Sequence, residues 1–140
     1  VVGAHGEASN ATGVNGNQSN NSAPGAGAAY VFARNGTTWS QQAYLKAHQV
    51  NAEDSFGVLI AISGDTVVVG AYGEDSTTTG ANSTPDESAP NAGAAYVFVR
   101  NGTTWTQQAK LAASPTSTTS PASATAASDC VPTRSPRSAT

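Results

Sequence analysis

The sequence predicts an all-β chain made of repeated four-stranded antiparallel sheets, and three observations carry that expectation. The stretch AGAAYVFARNGTTWSQQAYL, from Ala26, returns from Ala92 as AGAAYVFVRNGTTWTQQAKL. Each copy sets Asn-Gly between two runs of strand-forming residues, the strongest short hairpin signal. The runs VLIAIS and TVVVGA flank a second tight turn at Gly64-Asp65.

The repeat sets the element order. Gly25–Ala47 against Asn91–Ala113 gives 18 identities in 23 positions at an offset of 93 − 27 = 66. Upstream, VVGAHGE at Val1 matches VVGAYGE at Val68 at an offset of 67, so the intervening loops differ by one residue. Self-similarity of this length marks a supersecondary unit stacked on copies of itself. One full unit is expected as four strands, at Val58–Ser63, Thr66–Ala71, Ala94–Arg100 and Thr103–Ala113. Residues 1–47 supply the last three strands of a preceding unit, and residues 48–113 the complete one.

The faces follow from which letters change. In the fourth strand the copies differ at Ser40/Thr106, Tyr44/Lys110 and Lys46/Ala112, all even positions in the first copy. Trp39, Gln41, Ala43, Leu45 and Ala47 are unchanged. Period two predicts a wet, tolerant even face and a packed odd face. Both parities of AAYVFAR and TVVVGA are apolar, so these inner strands are expected to be covered on both sides. Sheets stacked radially in this way make a β-propeller, with a stacked sandwich or solenoid as alternatives.

The segment DSFGVLIAISGDTVVVGAY, Asp54–Tyr72, resembles the FG-GAP repeat, the blade unit of the integrin α-subunit head and of many bacterial surface proteins. Phe56-Gly57 stands for the FG and Gly70-Ala71 for the start of GAP; Tyr72 replaces the proline, as His5 does in the first copy. The resemblance covers residues 1 to about 113. It implies a β-propeller, usually of seven blades, working in extracellular or cell-surface adhesion or ligand binding, of which this chain would hold about two blades. Family blades often carry a calcium loop between their first two strands. Calcium needs six to eight oxygens, and that turn is here only Ser63-Gly64-Asp65. No cofactor is therefore expected, and Asp65 reads as a turn residue.

Antiparallel order places the two tight turns at one end of each sheet and the long connections, His5–Ala26, His48–Ser55 and Tyr72–Ala92, at the other. Loops on a rigid scaffold are where binding usually resides. The candidate rim residues are His5, Glu7, Glu53, Asp54, Tyr72, Glu74, Asp75, Asp86 and Glu87. The sharper reading of the acids is a patch for a divalent ion or a cationic ligand; the plainer one is solvated loop charge. The partner expected at this rim is a protein or glycan.

Composition narrows the function. Charged residues make up 11%, and the net charge is −3 with no basic cluster, which argues against nucleic acid. The longest apolar runs are far too short to span a bilayer. No nucleophile elbow, metal-ligand helix or phosphate loop appears, so no enzyme activity is expected. Six Asn-x-Ser/Thr sequons fit the background of Asn, Ser and Thr, and two of them, Asn35 and Asn101, already serve turns.

Residues 114–140 break the pattern. Ser, Thr, Ala and Pro fill 22 of these 27 positions, where a third unit would begin. Such a stretch is expected to be a disordered linker or the product of a frameshift. The lone Cys130 lies within it. Two units cannot close a ring of roughly four or more blades, so further blades or an oligomer are expected. The chain thus reads as part of a non-catalytic extracellular binding module, with a ligand-free structural spacer as the alternative and an enzyme's accessory propeller as a third.

Overall fold

The computed structural model describes residues 1–79 and 83–112. The expectations for residues 114–140, including Cys130, lie outside the described residues. Among those described, the chain forms seven strands and no helix, and so no helix long and apolar enough to cross a membrane.

The first sheet is β1 (Val2–Ala4), β2 (Ala28–Asn35) and β3 (Thr38–Leu45), in that order. The second is β4 (Leu59–Ser63), β5 (Thr66–Ala71), β6 (Ala94–Asn101) and β7 (Thr104–Ala112), also in sequence order. All pairings are antiparallel. These are three strands of one blade and four of the next, an unclosed piece of a propeller, with element bounds within a residue or so of the sequence reading.

The hairpin turns differ in detail from the Asn-Gly expectation. Asn35 pairs with Thr38 and Asn101 with Thr104, so the asparagines end their strands. The two-residue loops are Gly36-Thr37 and Gly102-Thr103, with positive φ at each glycine (60° and 63°) and not at the asparagine. A glycine leading the turn, as in type II′, also matches the twist of the flanking strands.

A β-bulge corrects the expected faces. Val31 pairs with Ala43 but Phe32 with Gln41, so Gln42 is an extra residue on β3; Gln108 does the same on β7. An extra residue inverts the alternation beyond it. Trp39 therefore shares a face with Tyr30, Phe32 and Tyr44, while Ala43 and Leu45 share the opposite face with Ala29 and Val31. Tyr44, Lys46 and Lys110, expected on a wet face, are buried.

The core lies between the two sheets. Ala29, Val31, Ala43 and Leu45 of the first sheet meet Val67, Val69, Tyr96, Phe98 and Trp105 of the second. Phe56 fills the centre, with its ring 5.3 Å from Tyr96 and 6.1 Å from Phe98, both edge-on. Such aromatic pairs add about 0.5–1.5 kcal/mol to the burial itself. Trp105 Nε1 donates to Gln42 Oε1 of the first sheet at 2.9 Å, so the bulge that flips the face also supplies the tryptophan's acceptor.

Backbone joins the sheets as well. Ser55 N donates to Gly25 O (2.8 Å) and Phe56 N to Ala26 O (3.0 Å), forming a parallel bridge between Phe56 and Gly27. Gly57, at φ 94°, has no room for a Cβ against the Ala28 carbonyl. Gly57 N then donates to Gly70 O at 2.9 Å. The FG pair is thus the joint: its phenyl ring plugs the core and its glycine lets two backbones touch.

Candidate functional site

The long connections lie together at one end, as the antiparallel order requires. The β3–β4 connection runs between the loops of both sheets. Glu53 N donates to Pro24 O on one side, and Gly73 N to Asp54 O on the other. The two β-sheet loops repeat one hydrogen-bond frame. Gly27 N bonds Glu7 O as Gly93 N bonds Glu74 O, and Ala26 N bonds Ala23 O as Ala92 N bonds Ala89 O.

At the foot of each loop stands a Glu-x-Ser unit, Glu7-Ala8-Ser9 and Glu74-Asp75-Ser76. Ser9 N donates to Glu7 Oε1 and Ala11 N to Ser9 Oγ; Ser76 N donates to Glu74 Oε1 and Thr78 N to Ser76 Oγ. Both serines are buried. Glu74, 1% exposed, receives Lys110 Nζ at 2.7 Å and Tyr96 Oη at 2.6 Å. Glu7 receives Lys46 Nζ at 2.9 Å, and that ammonium also donates to Ser9 O. Burial, with the Glu74 carboxylate beside it, holds the Tyr96 phenol far above its ordinary value.

The lysines, Tyr96 and the two serines are the residues that sequence reasoning missed. The signal was present in the pair of differences Tyr44/Lys110 and Lys46/Ala112. The lysine moves two residues along one face of the strand and keeps its glutamate, a compensation in place of tolerance.

The remaining candidates divide by exposure. Asp54 is buried and accepts from Asn51 N at 2.9 Å. Burial pushes its carboxyl up to about 7; the Asn51 bond opposes this, and the charges of Glu74, Glu87 and Asp75 add to it. Asp75, half-buried, receives Asn91 N at 2.6 Å. Asp86 is exposed and bonded by Ser88 and by Thr77 N and Oγ1, which hold its carboxyl well below the carboxylate range. His5, Glu53, Tyr72 and Glu87 are exposed, with positive φ at Glu53 (68°) and Glu87 (47°).

At the opposite end, Asp65 lies in its two-residue turn and receives Arg100 Nε at 2.8 Å. Arg100 in turn stacks over Trp105, 5.7 Å from the ring centre. Among the described residues no group of three His, Cys, Asp or Glu side chains is arranged to hold a metal ion.

Residues 39–98 match the family model of the FG-GAP repeat. No curated protein and no solved structure matches the chain. The matched span starts in β3 and ends in β6, so it straddles the joint made by Phe56-Gly57. The family match, the internal repeat and the sheet geometry agree that the chain carries an FG-GAP repeat over residues 39–98.

Proposed function

We propose that the chain is a non-catalytic binding module, working without a bound cofactor outside the cell or on its surface, with a protein or glycan ligand at the long-loop rim. The observation that supports this most is the loop end itself: repeated hydrogen-bond frames fix the backbone and leave His5, Glu53, Tyr72 and Glu87 outward. The FG-GAP match adds weight, since such repeats build propeller-type modules often involved in binding. Rigid loops bearing a few exposed polar and aromatic groups lose little entropy on binding. A protein and glycan array probed with the chain, then with Glu53→Ala, Tyr72→Ala and Glu87→Ala, tests it. Loss of a detected interaction in these variants supports the rim; binding that persists in all three removes it.

A second reading, a structural spacer without a ligand, draws on the other rim acids. Glu7, Glu74, Asp75 and Asp86 are all engaged within their own loops. The same array separates the readings, because a spacer shows no rim-dependent binding.

A further inference from the structure

The two outer faces of the paired sheets are copies of the two faces already packed together. On the second sheet's inner face, Phe98 and Trp105 are buried; their counterparts one repeat earlier, Phe32 and Trp39, are exposed on the first sheet's outer face. On the first sheet's inner face, Val31 and Leu45 are buried. Their counterparts Val97 and Leu111 lie on the second sheet's outer face, half-buried and exposed. Leu59 and Val68 extend that outer face, which holds an apolar depression of about 300 Å³ lined with Leu59, Ala61 and Ala95.

We propose that a second copy of this chain docks here head to tail, its first sheet's outer face on this chain's second sheet. The occupant follows from continuity with the interface inside the chain, since both surfaces carry the residues that already pack against each other there. Contiguous apolar surface of this kind marks an interaction site. The contact is heterologous, joining two different faces, so it generates rings or open arrays. At two described sheets per chain, rings of roughly four to eight sheets, the propeller range, correspond to two to four chains. Among the described residues the first sheet has no counterpart of Phe56 or of β4, so this contact is narrower and weaker than the intramolecular one.

Light scattering coupled to size exclusion, over a concentration series of the 140-residue chain, tests the proposal. The expected result is a mass that rises to two, three or four chains. Trp39→Asp and Leu59→Asp alter one outer face each, at exposed positions, and each is expected to give a monomer with unchanged circular dichroism. Mixed in equal amounts they should form a dimer and nothing larger, since each keeps one intact face. Phe32→Asp and Leu111→Asp replace them if either variant loses its sheet signal. A chain that stays monomeric at every concentration, an assembly unchanged by these variants, or a mixture that gives no dimer overturns the proposal.

Discussion

Lys110 Nζ lies 2.7 Å from Glu74 Oε1 in the same buried setting in which Lys46 meets Glu7, although the two lysines occupy different positions of the repeat. Lys110 is the counterpart of Tyr44, and Lys46 that of Ala112. What the repeat keeps is the ion pair, and either of two sites on one strand face supplies its cation. A buried carboxylate left alone is costly enough to explain this economy of placement.

The pair is expected to act as a unit. Glu74→Ala or Lys110→Ala leaves one buried charge unmatched and should cost about 3–5 kcal/mol. The double variant should cost well under the sum. Lys110→Tyr combined with Ala112→Lys copies the first sheet and should recover most of the loss from Lys110→Tyr alone. Urea unfolding of the set decides; full additivity would show that the charges do not meet.

Two tyrosines should respond in opposite ways. Tyr96 donates to the Glu74 carboxylate, so Tyr96→Phe should destabilise by about 1.5–3 kcal/mol, the worth of a bond to a charged group. Tyr44 is buried beside Glu7 and Ser9, but its hydroxyl makes no hydrogen bond of normal length and angle to either. Removing an unpaired buried hydroxyl relieves its desolvation cost. Tyr44→Phe should therefore be neutral or stabilising, and thermal melts of the two variants give the comparison.

Much of this was legible in the letters. The Asn-Gly pairs and apolar runs placed the strands, although each of those turns begins one residue later, at the glycine, and the repeat placed the loops at one end. The faces were not legible, because the bulges at Gln42 and Gln108 invert the alternation and carry no letter that announces them. Trp39 and Leu45 read as neighbours on one face and lie on opposite ones. Glu7 and Glu74 read as rim residues because charge next to a loop suggests solvent; only the fold shows a lysine beneath each.

Asp54 gives a pH signature. Its folded value of about 7 stands above the ordinary 3.8, so the folded state holds the proton more tightly than the unfolded one. Its contribution to stability is then complete below about pH 4 and is lost as the pH rises through about 7. Asp54→Asn keeps an acceptor for Asn51 N and removes the titration. The stability difference between variant and parent should therefore grow in the variant's favour from about pH 5 to pH 8. A difference that is flat with pH would show that Asp54 is ionised in both states.

The joint should tolerate no side chain at Gly57. Gly57→Ala places a methyl group against the Ala28 carbonyl at φ 94°, and a loss of at least about 2 kcal/mol is expected from strain and displaced backbone. Phe56→Ala empties the centre of the core and should cost about 3–5 kcal/mol. Both losses should appear in chemical denaturation, whereas Gly36→Ala, with open space around its Cβ position, carries only the backbone penalty of its positive φ.

Native-state hydrogen exchange at the Phe56 amide tests most directly whether the FG pair locks the two sheets together. That amide donates to Ala26 O across the joint, 3.0 Å away. It should exchange only on global unfolding, with the same free energy as the amides of β5 in the centre of the second sheet. Rapid exchange at Phe56 while the β5 amides stay protected would contradict the account, because the second sheet would then be folded without being joined to the first.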